Sequence, residues 1–337
     1  MTILIVTRTG DKNAPVAVAR ALEARSERTY RFDTDLFPTE LQLLLDEAGG
    51  GRLVGPEGEL ALSDITAVWY RRNETGGRIP QDMDPQLRHP SREESRRVVY
   101  GLLASLGVFT VDPLDRVWRA DHKPLQLKLA RALGLEVPRT LVTNSPPAVR
   151  AFAASCPSGI VTKMMTAFSV HDEQNREHVV FTTPLGPKDL EDLEGLDLCP
   201  MTFQELIPKQ IELRVTVVGQ QVMAAAIDSQ ALPGARHDWR REGLTLIDAW
   251  KPYELPEPVR VRSLKLMDEL GLNYGAFDFI VTPEGRHVFL EVNPVGEFMW
   301  LTRSPGLPIV EALADVLAGR APRRMVPPLV APGAAPR

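Results

Sequence analysis

Cysteine is scarce: the 337 residues contain only Cys156 and Cys199, too few for a disulfide framework or a thiolate zinc site. No stretch approaches the run of about 20 apolar residues that a membrane helix needs. The opening MTILIVTRTG has no basic region and no cleavage signal, and reads as a first strand rather than an export signal. Positive charge is not in excess either. With 39 Lys and Arg against 44 Asp and Glu the net charge is −5, so nothing draws the chain onto nucleic acid or an anionic membrane. Neither a Walker A sequence nor a Gly-x-Gly-x-x-Gly run occurs, which excludes P-loop and Rossmann nucleotide sites. Repeats with a period of roughly 20 to 50 residues are missing, which argues against solenoids and propellers. At 44% hydrophobic and 25% charged residues, what remains is a cytoplasmic α/β protein of roughly two domains.

Periodicity predicts strands over 3–7, 29–32, 65–70 and 109–111, helices over 14–25 and 91–107, and a hairpin of 41–45 with 60–62 around the glycines at 49–51. This alternation makes residues 1–115 an open α/β domain. A second unit, 116–200, reads as helix 123–133, strand 140–143, helix 146–155, strands 159–163 and 178–183, and helix 187–197. A third, 201–322, is β-rich: 201–207, 211–218, 221–227 and 244–250, then helix 257–270, strands 274–281 and 287–292, and helix 307–318. The proline-rich end, 323–337, is expected to be disordered.

The residues that carry chemistry concentrate in the third unit. Asp278 lies in one apolar segment, Glu291 and Asn293 in the next, joined by the turn-forming TPEGR. Side chains two apart share a strand face, so a hairpin sets Asp278 opposite or diagonal to Glu291 and gathers three oxygen-bearing side chains on an apolar sheet. Buried carboxylates need a positive partner. That partner is either Mg²⁺, which takes few protein carboxylates and completes its shell with phosphate and water, or a buried arginine or lysine. Upstream, QELIP at 204–208 ends in a proline break whose free backbone can hydrogen-bond a purine edge. Glu212 and Arg214 share a face of the following strand, as ribose and anion ligands or as an ordinary surface ion pair. Lys123 begins a helix; Lys163 ends an apolar strand, where taken alone it would snorkel to solvent. Together these are the parts of a nucleotide site.

In the order Lys123, Lys163, Gln204-Glu205-Leu206-Ile207, Glu212, Arg214, Asp278, Glu291-Val-Asn293-Pro294, the chain resembles the ATP-grasp superfamily of carboxylate–amine ligases over residues 116–320. Within it, TILIVT, FDTDLFP at 32–38, VWYRR at 68–72, HDWR at 237–240 and NYGAFDF at 273–279 are similar to the microviridin-type graspetide synthetases. The resemblance implies an ATP-grasp fold: a pre-ATP-grasp α/β domain at 1–115, a central α+β subdomain with a leader-peptide dock at 116–200, and a C-terminal antiparallel-sheet subdomain at 201–322. It further implies that Lys123 and Lys163 contact ATP phosphates and that Glu205 and Ile207 meet adenine through main-chain atoms, with Gln204 or Leu206 as a wall. Glu212 would hold the ribose, and Asp278, Glu291 and Asn293 would coordinate Mg²⁺. One departure stands out: where many relatives have a glycine-rich loop after the second lysine, this chain has Met164-Met165-Thr166-Ala167-Phe168-Ser169, leaving Thr166 and Ser169 as candidate phosphate hydroxyls.

The implied reaction is phosphorylation of an Asp or Glu side chain of a ribosomal precursor peptide, followed by attack of a Thr or Ser hydroxyl or a Lys amine. Arg214 and Lys163 would neutralise the transferred phosphoryl group. Arg71 and Arg72 end a strand, where α/β domains present ligands; with Trp239 and Arg240 they are candidates for holding the acidic core, beside the alternative of solvated arginines. His237 or Asp238 is a candidate to deprotonate the attacking hydroxyl, or else structural. Glu191 and Asp192 are candidates to pair with a leader arginine, or form a solvated acidic face. The resemblance also implies a homodimer. Two rivals stand: a carboxylate–amine ligase resembling the ribosomal-protein glutamate ligases, which would share every ATP residue, and a non-catalytic binding protein.

Overall fold

The computed structural model describes residues 2–165, 169–171, 174, 177–179, 182–231 and 247–324. The first domain begins with β1 (Thr2–Thr7), buried along its whole length, then α1 (Ala14–Glu23) and β2 (Arg28–Asp33). A small antiparallel sheet follows, β3 (Gln42–Leu45), β4 (Gly51–Gly55) and β5 (Gly58–Ala61). The expected hairpin is corrected here: 42–45 pairs with 51–55, and 58–61 is a third strand. Gly51, at φ +142°, permits that turn, since a Cβ there would meet the Leu44 carbonyl oxygen at 2.0 Å. The domain closes with β6 (Ile65–Tyr70), α2 (Pro85–Ser105) and β7 (Phe109–Val111). Helix α2 starts six residues before the expected 91, behind Asp84, whose side chain accepts from the Gln86 N–H at 2.9 Å. The main sheet is parallel, in the order β2-β1-β6-β7, and its central strand is accordingly apolar on both faces.

Helix α3 (Leu114–Asp121), absent from the sequence reading, spans the boundary drawn at residue 115. It runs into α4 (Lys123–Ala132), β8 (Thr140–Thr143), α5 (Pro146–Ala154) and β9 (Ile160–Lys163). The strand expected over 178–183 and the helix expected over 187–197 are replaced by shorter pieces. These are β10 (Ser169–His171) paired with β11 (Glu177–Val179), then β12 (Thr183–Leu185) and α6 (Pro187–Glu191). Strand β13 (Met201–Glu205) completes a central antiparallel sheet, β12-β9-β13-β8. Strand β13 of this sheet lies beyond the expected boundary at 200.

The last unit contains β14 (Ile211–Val218), β15 (Gln221–Ile227), β16 (Lys251–Pro252), α7 (Glu257–Leu270), β17 (Tyr274–Val281), β18 (His287–Asn293), α8 (Met299–Arg303) and α9 (Ile309–Leu317). The strand expected over 244–250 is not found in its described part, 247–250, where the chain turns before β16. The antiparallel order is β16-β15-β14-β17-β18. One face, with Leu213, Val215, Phe277, Phe279 and Phe289, packs on the helices α4 and α7. On the other face Val218, Met223, Tyr274 and Ala276 share a core with α9 and the first domain's Ile3, Ile5 and Trp69. Helix α9 is apolar almost all round, as a helix between two sheets must be. Asp112, just after β7, accepts the N–H groups of Asn273 (2.7 Å) and Tyr274 (2.9 Å), fixing the start of β17 to the first domain. The packed body extends to Arg324, which pairs with Asp268 at 2.6 Å, two residues beyond the expected edge at 322; residues 325–337 lie outside the described part. Among the described residues no helix is long and apolar enough to cross a membrane.

Candidate active site

Register alone assembles the centre of the site. Arg214 on β14 stands opposite Asp278 on β17, which stands opposite Glu291 on β18, with Asn293 two residues further on the same strand. The Arg214 Nη1 donates to both Asp278 oxygens, at 2.9 and 3.0 Å. The Asn293 Nδ2 donates to Asp278 Oδ2 at 3.4 Å and to Glu291 Oε1 at 3.3 Å. Lys123 closes the network, donating to Asn293 Oδ1 at 3.1 Å and pairing with Glu291 at 3.2 Å. Lys163, reaching over from the central sheet, lies 3.8 Å from the same carboxylate. Burial by itself would raise the Glu291 carboxyl, but the Lys163 and Lys123 ammoniums overcome it and hold the group well below the usual carboxylate range.

Each carboxylate of the acidic trio has a basic partner, Arg214 for Asp278 and Lys123 for Glu291. Two carboxylates and an amide oxygen on neighbouring strands are hard donors, the small set that Mg²⁺ takes when phosphate and water complete its shell. Among the described residues no group of three or more His, Cys, Asp or Glu forms a fuller metal cage. The fit is to a cation shared with a phosphate ligand.

A cavity of about 300 Å³ opens beside this network, between α4 and the central sheet, lined by Lys123, Lys163, Thr140, Gln204 and Leu290 among others. Gln204 is buried and donates to Thr140 Oγ1 at 3.1 Å. The N–H groups of Glu205 and Leu206 bond Arg139 and Gly159 carbonyls at 3.0 Å each. The N–H of Ile207, ahead of the Pro208 break, makes no hydrogen bond among the described residues. Glu212 is paired with Lys209 at 2.8 Å.

The structure separates the two strand-end arginines. Arg71 is 2% exposed, ion-paired with Asp11 (3.2 Å) and Glu297, and covered by the Phe298 ring at 5.3 Å. It braces the segment after β18, donating to the Val295 and Gly296 carbonyls at 3.2 Å each. Arg72 is 29% exposed in its side chain and donates to the Val295 carbonyl at 2.8 Å. Burial, with Arg71 alongside, lowers its pKa. Glu191 and Asp192 are exposed, and Arg150 donates to the Leu190 and Glu191 carbonyls at 2.9 and 3.2 Å. Thr166, His237, Asp238, Trp239 and Arg240 lie outside the described residues, as does the side chain of Ser169.

Three contributors escaped sequence reasoning. Gln126, fully buried on α4 one turn from Lys123, donates to the Val292 carbonyl (2.8 Å) and accepts its N–H (2.9 Å), so it grips the strand between Glu291 and Asn293. Lys209 orients Glu212. Trp300 lies against Arg214, its ring centroid 5.1 Å from the guanidinium carbon. A buried Gln within the apolar stripe of α4 was the one available signal.

A family model described as the MvdD pre-ATP grasp domain matches residues 2–118. Over 95% of this chain and 100% of the other, the fold is similar to macrocyclase MdnC from Microcystis aeruginosa MRC, solved bound with precursor peptide MdnA, at 45% identity and a TM-score of 0.86. It is similar to a Chryseobacterium gregarium RiPP-associated ATP-grasp ligase, solved with ADP and a leader and core peptide, at 36% identity and a TM-score of 0.92 over 97% and 99% of the two chains. Macrocyclase MdnB from Microcystis aeruginosa MRC is 35% identical, with a TM-score of 0.77 over 94% and 98%. The search of curated proteins gave no match.

Proposed function

The chain belongs to the ATP-grasp peptide macrocyclases, the graspetide synthetases, and from that premise we propose that it cross-links side chains of a ribosomally made precursor peptide, using ATP and Mg²⁺. A carboxylate does not acylate an alcohol in water, because oxide is too poor a leaving group. Transfer of the ATP γ-phosphoryl to an Asp or Glu side chain gives ADP and an acyl phosphate. A Thr or Ser hydroxyl, or a Lys amine, then attacks the acyl carbon and phosphate departs, leaving an ω-ester or ω-amide. Such transfer is mainly positioning and charge neutralisation.

Lys123 and Lys163 hold the phosphates, with Thr166 and Ser169 supplying hydroxyls. Gln204, Glu205, Leu206 and Ile207 enclose adenine, and Glu212 accepts from the ribose. Asp278, Glu291 and Asn293 hold Mg²⁺, which when bound offsets phosphate charge. Arg214 faces the activated carboxyl. Arg72, Trp239 and Arg240 receive the acidic core, His237 or Asp238 takes the proton of the attacking hydroxyl, and Glu191 and Asp192 pair with a leader arginine. The enzyme works as a cytoplasmic homodimer.

One observation carries this reading: two lysines, two carboxylates, an amide and an arginine form one connected network beside a cavity of nucleotide dimensions. The test is the intact mass of a candidate precursor peptide after incubation with enzyme, ATP and Mg²⁺. Losses in multiples of about 18 Da, one water per condensation, are expected, and mild base then distinguishes ester from amide. An unchanged peptide, with ADP formed only when free amino acids are added, would mean a small-substrate ligase instead.

A further inference from the structure

Two successive aromatic residues of the segment after β18 each cover a buried arginine. Phe298 covers Arg71, the brace between domains, and Trp300 covers Arg214. Arg214 is nine-tenths buried; its Nη1 serves Asp278, while its Nε is buried with no hydrogen-bond partner among the described residues. The guanidinium carbon lies over the indole ring, and a cation held by the electron-rich ring face keeps its N–H donors for other partners. Trp300 is itself backed by the buried Trp250, their ring centroids 6.2 Å apart.

We propose that Trp300 is a positioning residue for the reaction: it fixes the plane of the Arg214 guanidinium, so that the edge not engaged by Asp278 is held toward an incoming anion, the activated carboxyl or the departing phosphate. This rests on the reaction proposed above. Asp278 alone sets one edge of the guanidinium and leaves rotation about that edge open; the indole face removes it. The residue has no contact with the reacting atoms and acts through Arg214.

The test compares the full-length enzyme with Trp300→Phe and Trp300→Leu, each first shown to be folded by its thermal melt. With ATP, Mg²⁺ and a precursor peptide that the wild type converts, Trp300→Leu is expected to lower kcat about tenfold, the loss of one desolvated cation–π contact, with KM for ATP unchanged. Trp300→Phe, which keeps a ring face, should recover most of that loss. In a background of Arg214→Lys, Trp300→Leu should cost nothing further. Calorimetric titration of inorganic phosphate into the MgADP-saturated enzyme needs no peptide, and should show weaker binding in Trp300→Leu than in Trp300→Phe. Equal phosphate affinity in the two variants, a rise in KM for ATP in place of a fall in kcat, or equal damage from Phe and Leu would overturn the proposal. A wild type that converts no peptide would count against the macrocyclase reading, and the phosphate titration would still decide the role of Trp300.

Discussion

Arg71, at the end of the first domain's strand β6, is paired with Glu297, which lies four residues beyond the candidate metal ligand Asn293. The same guanidinium donates to the Val295 and Gly296 carbonyls, at 3.2 Å each, and pairs with Asp11. The first domain therefore sets the path of the chain as it leaves the site. Removing one partner of a buried pair strands the rest, so Arg71→Ala is expected to destabilise the protein by about 3 kcal/mol in urea unfolding. Glu297 is half exposed, and Glu297→Gln should cost about 1 kcal/mol or less. An Arg71→Ala protein as stable as the wild type would show that the brace contributes nothing.

Gln126 makes a separate prediction. Its amide satisfies both backbone groups of Val292, so Gln126→Leu leaves a buried N–H and a buried C=O without their partner. A loss of about 1–3 kcal/mol per group is the expected scale, read from thermal or urea unfolding. Because the same helix carries Lys123, the Mg²⁺ concentration for half-maximal turnover should also rise, by about tenfold as for groups that support metal ligands. Lower stability with an unchanged Mg²⁺ requirement would confine Gln126 to the core.

Asp278→Ala and Glu291→Ala are each expected to lower product formation at least about a hundredfold while leaving leader-peptide affinity intact. Glu291→Ala should be the more damaging to the protein without nucleotide, since Lys123 and Lys163 then face each other with no carboxylate between them. Fluorescence anisotropy with a labelled leader peptide checks the separation. A metal-site variant that lost leader affinity would join the two sites into one.

Much of this site was legible because polar residues interrupt apolar strands: Asp278 stands between Phe277 and Phe279, both buried, and no apolar sheet keeps a carboxylate without reason. The strand period then placed Glu291 and Asn293 on one face, as observed. What stayed hidden depends on distant packing. Nothing local distinguishes Arg71 from Arg72, yet one is enclosed by residues from the other end of the chain and the other reaches the surface. Gln126 meets a strand 166 residues away, and Trp300 looks like any aromatic of a short helix until Arg214 is beneath it. The two-residue β16 and the five-residue α8 are too short for periodicity to register.

The last prediction concerns Asp112, which joins the first domain to β17. Burial pushes its carboxyl up to about 7 from an ordinary 3.8, against the pull of the Asn273 and Tyr274 N–H groups. Between those values the folded protein holds a proton that the unfolded chain has released. Stability from this group is therefore greatest below about pH 4 and falls as pH rises toward 7, by up to about 1.4 kcal/mol per pH unit, then levels off. Asp112→Asn cannot ionise, and its amide can accept only one of the two N–H groups. It should be less stable than the wild type in acid, with the gap closing as pH rises from 5 to 7.5. Urea unfolding of both proteins across that range checks it. A gap that stays level, or widens with pH, would mean that the two N–H groups keep the carboxylate ionised throughout and that burial is the weaker influence.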